Sequence, residues 1–135
     1  MGVMKQGPLL EFESNAFAVE PGEDAHTNPG VFGKVLAAWL SAQLQLSGLP
    51  TGELIAEDFG WCIPVESKPH RLFVVCASNG DSSTAWRVFA FAEGGLLSRL
   101  IGKDQSAQSV ASLFASVKQV LVSSPEVTAL REEPA

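Results

Sequence analysis

The chain has 135 residues, 46% of them hydrophobic and 18% charged, and a formal net charge of -6. That size suits one domain and leaves no room for a two-lobed enzyme with an interdomain cleft, and the composition is that of a chain able to bury a core. Nine Lys and Arg against fifteen Asp and Glu create a field that repels phosphate backbones and anionic headgroups, so neither nucleic acid nor membrane is an expected partner.

Two cysteines, Cys62 and Cys76, are too few for a disulfide scaffold. The first ten residues hold no apolar run of signal-peptide length, and nowhere do about eighteen apolar residues follow one another. These features read as a cytoplasmic protein with a disordered stretch over 1–10, one domain over 11–131 and a polar tail over 132–135.

A first strand is expected over 11–19, where Phe12, Phe17 and Val19 mix with polar residues. Residues 20–30, EPGEDAHTNPG, combine two Pro-Gly breakers with clustered acids and must form a loop. Asn28 and Pro29 at its end resemble an N-cap and a first helical position, and Phe32, Val35, Leu36, Trp39, Leu40 and Leu46 then recur at helical spacing. A helix is therefore expected over 31–47, stopped by Gly48 and Pro50.

Strands follow over 54–59, 61–66, 71–78 and 85–93, rich in β-branched and aromatic residues and joined by short connections, as in an antiparallel meander. Asn79-Gly80-Asp81 marks a hairpin turn between the last two. In 85–93 one face carries Trp86, Val88 and Ala90 and the other Arg87, Phe89 and Phe91. Neither is purely polar, so helices or a partner chain should cover more of the sheet than one layer requires. After a short turn around 96–102, a second amphipathic helix is expected over 106–122 and an edge strand over 127–131. The whole is an α+β fold: about five antiparallel strands with two helices on one face.

The residues with chemical potential are acidic and local: Glu20, Glu23 and Asp24, with His26 beside them, and Glu57-Asp58 ahead of Phe59-Gly60-Trp61-Cys62. Lys34 is the sole base between Glu20 and Asp58. Oxygen ligands with one imidazole would suit a divalent cation if the fold joined the two segments, but neither a Ca²⁺ loop nor an H-E-x-x-H pair is present. Adjacent carboxylates on a strand point to opposite faces, which disfavours an acid–base pair. The simpler reading has Asp58 bonding amides of the Gly60 turn while Glu57 stays in water.

Cys62 has acids rather than bases nearby, and Cys76 lies in the apolar run Val74-Val75-Cys76-Ala77. Neither has the electropositive setting of a nucleophile, although His70 is a conceivable base. Nothing matches a P-loop, a dinucleotide fingerprint or a serine nucleophile elbow, and no cofactor is expected. Trp39 and Trp86 sit on apolar stripes and should fill the core; Trp61, at a strand seam beside the acids, is where an aromatic contact surface would lie exposed.

The set Glu20-Pro21-Gly22-Glu23-Asp24, Asn28-Pro29-Gly30-x-Phe32-Gly33-Lys34 and Glu57-Asp58-Phe59-Gly60-Trp61-Cys62 resembles motifs of a group of small bacterial proteins with no assigned activity. Their third motif is E-D-W-G-W-C, from which Phe59 departs. The resemblance spans about residues 12–86 and implies no substrate or cofactor; it implies that the acidic loop and the Gly60 turn share a surface. The sequence thus points to a non-enzymatic binding or protein-interaction module that recognises a protein or small molecule through Glu23, Asp24, His26, Glu57, Asp58 and Trp61. A small enzyme or divalent-metal protein using the same acids is the alternative. A homodimer would suit the two apolar strand faces.

Overall fold

A computed structural model describes residues 8–67, 70–80, 82–93 and 103–134. The elements in chain order are β1 (Leu9–Glu13), a 3-10 turn (Glu23–Ala25), α1 (Lys34–Leu46), β2 (Ile55–Glu57), β3 (Gly60–Ser67), β4 (His70–Ser78), β5 (Ala85–Ala92), α2 (Lys103–Val122) and β6 (Thr128–Glu133). This is the expected α+β class: the described residues form a six-stranded antiparallel sheet that includes the expected C-terminal edge strand. The sheet order is β2-β3-β4-β5-β1-β6, with every neighbouring pair antiparallel. The expected turn over 96–102 lies outside the described residues.

The register explains how a sheet with two apolar faces sorts its side chains. One row runs Leu10, Val88, Cys76, Trp61 and Ala56 across β1, β5, β4, β3 and β2. With Phe12, Ile63, Val74 and Trp86 it faces Leu36, Leu40 and Leu44 of α1 and Leu113, Val117 and Leu121 of α2, and all of these belong to one buried cluster except Ala56, which is partly buried and packs against it. Both helices therefore pack on this face. The neighbouring row, Leu9, Phe89, Val75, Cys62 and Ile55, points the other way. Cys62, Phe73, Val75 and Phe89 form a second buried cluster, to which neither described helix contributes a side chain.

Among the element boundaries that differ from expectation, three have identifiable reasons. β1 begins at Leu9, inside the stretch expected to be disordered, and Leu10 is fully buried. It ends at Glu13 because Ser14 turns the chain: the Ser14 N–H bonds Thr84 O, and its carbonyl accepts the Trp86 indole N–H at 3.0 Å. Phe17, expected on the strand, packs instead on Trp39 with ring centroids 5.1 Å apart. The third difference is the start of α1, at Lys34 instead of 31; at its other end Leu46, expected on the apolar stripe, is exposed, and Leu44 is buried instead.

At the far edge, β6 carries an irregularity where Ala129 adopts a positive φ of 54°. It carries charge on both faces, with Arg131 bound to Glu11 and Glu132 to Lys118, each at 2.8 Å. A bulge and charges both discourage another strand from adding there.

Candidate functional site

The acidic loop is built from two Pro-Gly turns. Glu20-Pro21-Gly22-Glu23 closes with a Glu23 N–H to Glu20 O bond of 3.1 Å, and Gly22 has φ 82° and ψ 1°. Those angles belong to the third residue of a type II turn, with proline before it. Asn28-Pro29-Gly30-Val31 repeats the pattern, with Val31 N–H to Asn28 O at 3.0 Å and Gly30 at φ 84°. Asn28 and Pro29 therefore make a turn and not a helix start. Pro29 at the second turn position and a glycine at the third are satisfied without helical geometry, which corrects the expected capping role.

The cap of α1 comes from Glu23. Its Oε1 accepts the N–H groups of Gly33 at 2.8 Å and Lys34 at 3.0 Å, and its Oε2 accepts that of Glu20 at 2.7 Å. Glu23 is only 5% exposed. A carboxylate at a helix N-terminus satisfies amides that have no intrahelical partner and sits at the positive end of the helix dipole. Its assignment to an exposed contact surface is therefore corrected. Asp24, half-buried, accepts the Gly30 N–H at 2.9 Å and so ties the two turns together.

The Gly33 segment is then fastened to the sheet. Phe32 and Ser78 exchange bonds: Ser78 N–H to Phe32 O at 2.7 Å, and Phe32 N–H to Ser78 Oγ at 3.0 Å. Gly33 lies so close to β4 that a Cβ there would stand 2.5 Å from the Cys76 carbonyl oxygen. Gly60, in β3, crowds the same oxygen; its Cβ would lie 2.8 Å away. Two of the motif glycines thus close on one peptide group, a joint reason for both to lack a side chain.

The acidic loop meets the β2–β3 hairpin directly. Glu57 and Gly60 pair across its tip, and the Asn28 N–H bonds Asp58 O at 2.9 Å. It is the main-chain oxygen of Asp58, not its carboxylate, that makes this contact. Glu20, His26, Glu57 and Asp58 are all exposed.

Trp61 goes the other way. It is 8% exposed, packed in the helix-side core, with Lys34 Nζ 5.5 Å above its ring and 3.2 Å from Glu20. Its indole N–H is buried with no partner among the described residues. This corrects its expected role as an exposed aromatic wall: with both sheet faces apolar, the register alone selects the face. Phe59, one residue beyond Asp58, is the partly exposed aromatic of the hairpin, edge-on to Phe91 at 6.3 Å.

These placements limit the chemistry. Both oxygens of Glu23 are engaged by amides, so a cation could take them only by stripping the helix cap. Among the described residues no group of three or more His, Cys, Asp and Glu side chains is placed to hold a metal ion. Burial pushes the Cys62 thiol up to about 12, with the Glu57 charge adding to it. Burial also raises Cys76, and the neighbouring Cys62 adds to that shift. The two thiols sit on opposite faces of adjacent strands, Cys76 in the helix-side cluster and Cys62 in the other. The side chain of His70 lies outside the described residues.

Among the described residues, surface depressions also lie elsewhere. One of about 380 Å³ separates α2, at Ser109, Ser112 and Ser116, from Val65 and Leu72; another, about 570 Å³, lies among Ser14, Asn15, Pro125 and Glu126.

Thr27 and Ser78 are two of the buried polar residues to which the sequence alone assigns no role. The Thr27 hydroxyl bonds Val31 O at 2.7 Å, and the Ser78 hydroxyl bonds Gly80 O at 2.7 Å. A serine ending an apolar strand beside Asn-Gly was the available signal for the second. Comparison of the chain with protein-family models, curated proteins and solved structures finds no match in any of the three. Among the described residues no helix is long and apolar enough to cross a membrane.

Proposed function

We propose that the protein is a non-enzymatic binding or protein-interaction module whose contact surface is the acidic end formed by residues 20–30 and the tip of the β2–β3 hairpin. The observation that carries this reading is the Asn28 N–H to Asp58 O bond of 2.9 Å, which makes two segments remote in sequence into one surface. Its exposed groups are Glu20, His26, Glu57 and Asp58, with Asp24 half-buried at the base.

The loop behind that surface is held by side chains as well as by its own turns. Glu23, Asp24, Thr27 and Ser78 all bond its backbone, at Glu20, Gly30, Asn28 and Gly30 respectively. A loop already ordered loses little conformational entropy on binding, which is the usual physical advantage of a rigid recognition surface. The surplus of exposed carboxylates favours a partner with a basic face, and complementary charge acts chiefly on encounter rate and selectivity.

The test places p-benzoylphenylalanine at Ala25, an exposed position between Asp24 and His26, and cross-links the full chain in the cells that make it. A discrete adduct is expected. Adding Glu57→Lys and Asp58→Lys should reduce it by roughly tenfold, as expected for the loss of about 1.4 kcal/mol of attraction, while a Glu126→Lys control should not. No adduct, or an adduct indifferent to charge reversal at Glu57 and Asp58, overturns the proposal.

A further inference from the structure

We draw no further inference here: the strongest candidate, the apolar sheet face opposite the two helices, where Leu9, Ile55, Phe59 and Phe91 surround the buried Cys62, Phe73, Val75 and Phe89, carries nothing because nothing in the structure shows what covers it.

Discussion

Replacing Glu23 should damage the fold and not merely a surface. The carboxylate accepts three backbone N–H bonds, from Glu20, Gly33 and Lys34, at 2.7–3.0 Å. Hydrogen bonds to a charged group contribute about 1.5–3 kcal/mol each, but water can reach the amides of Glu20 and Lys34 once the side chain is gone. The Gly33 amide is different, since that residue is buried against Cys76. Counting one stranded buried donor at about 1–3 kcal/mol and a lost cap at about 1 kcal/mol gives roughly 3 kcal/mol for Glu23→Ala.

That is a substantial part of the 5–15 kcal/mol typical of a domain. At about 3 °C per kcal/mol for a chain of this length, the melting temperature should fall by roughly 9 °C. Glu23→Gln keeps Oε1 for Gly33 and Lys34 but turns an NH₂ toward the Glu20 N–H, so its loss should be about half as large. Urea titration followed by circular dichroism gives both values. A Glu23→Ala protein within about 0.5 kcal/mol of the parent, the range of ordinary surface changes, would show that the carboxylate is not the cap of α1.

The two glycines against Cys76 should be the least replaceable positions of the motifs. Gly33→Ala and Gly60→Ala each set a methyl group under 3 Å from a backbone oxygen at a φ near +150°, and strain plus overpacking should cost about 2–5 kcal/mol in a urea titration; a loss below about 1 kcal/mol would contradict the close approach. Trp61→Phe and Trp86→Phe should separate although both rings are buried. The first removes an indole N–H that has no described partner, whereas the second strands Ser14 O, so Trp86→Phe should be the more costly by about 1 kcal/mol or more; equal losses would refute this. The thiols should resist modification, and a thiol reagent at pH 8 should label the native protein far more slowly than the urea-unfolded chain. The same shifts have a pH consequence. A thiol raised when folded favours the folded state fully below its unfolded value of about 8.5, and for Cys62 that contribution is lost as pH climbs toward about 12. Urea midpoints should therefore fall between pH 8 and pH 10.5, and a flat profile would refute the burial argument.

Much of the architecture was legible because it rests on short-range patterns. The stripe Val35, Leu36, Trp39, Leu40 specifies α1 by its spacing, and the Asn79-Gly80 turn specifies the β4–β5 hairpin. Boundaries were harder where one motif has two local uses. Asn28-Pro29-Gly30 suits a helix start and a type II turn equally well, and the choice depends on Glu23 reaching Gly33 and on Ser78 holding Phe32. The junction of the acidic loop with the Gly60 hairpin depends likewise on one main-chain bond, between Asn28 and Asp58.

The fates of Glu23 and Trp61 lie beyond such patterns. Nothing in Glu-Pro-Gly-Glu-Asp distinguishes a carboxylate in water from one buried on a helix end; the difference comes from amides ten and eleven residues away. Trp61 alternates correctly with its neighbours on either face, and since both faces of the sheet are apolar, alternation cannot say which one meets the helices. Periodicity and turn chemistry are properties of neighbours along the chain and so are written locally. Burial of a charge or an indole is settled by long-range partners, which exist only once the strands are paired and α1 is laid across them.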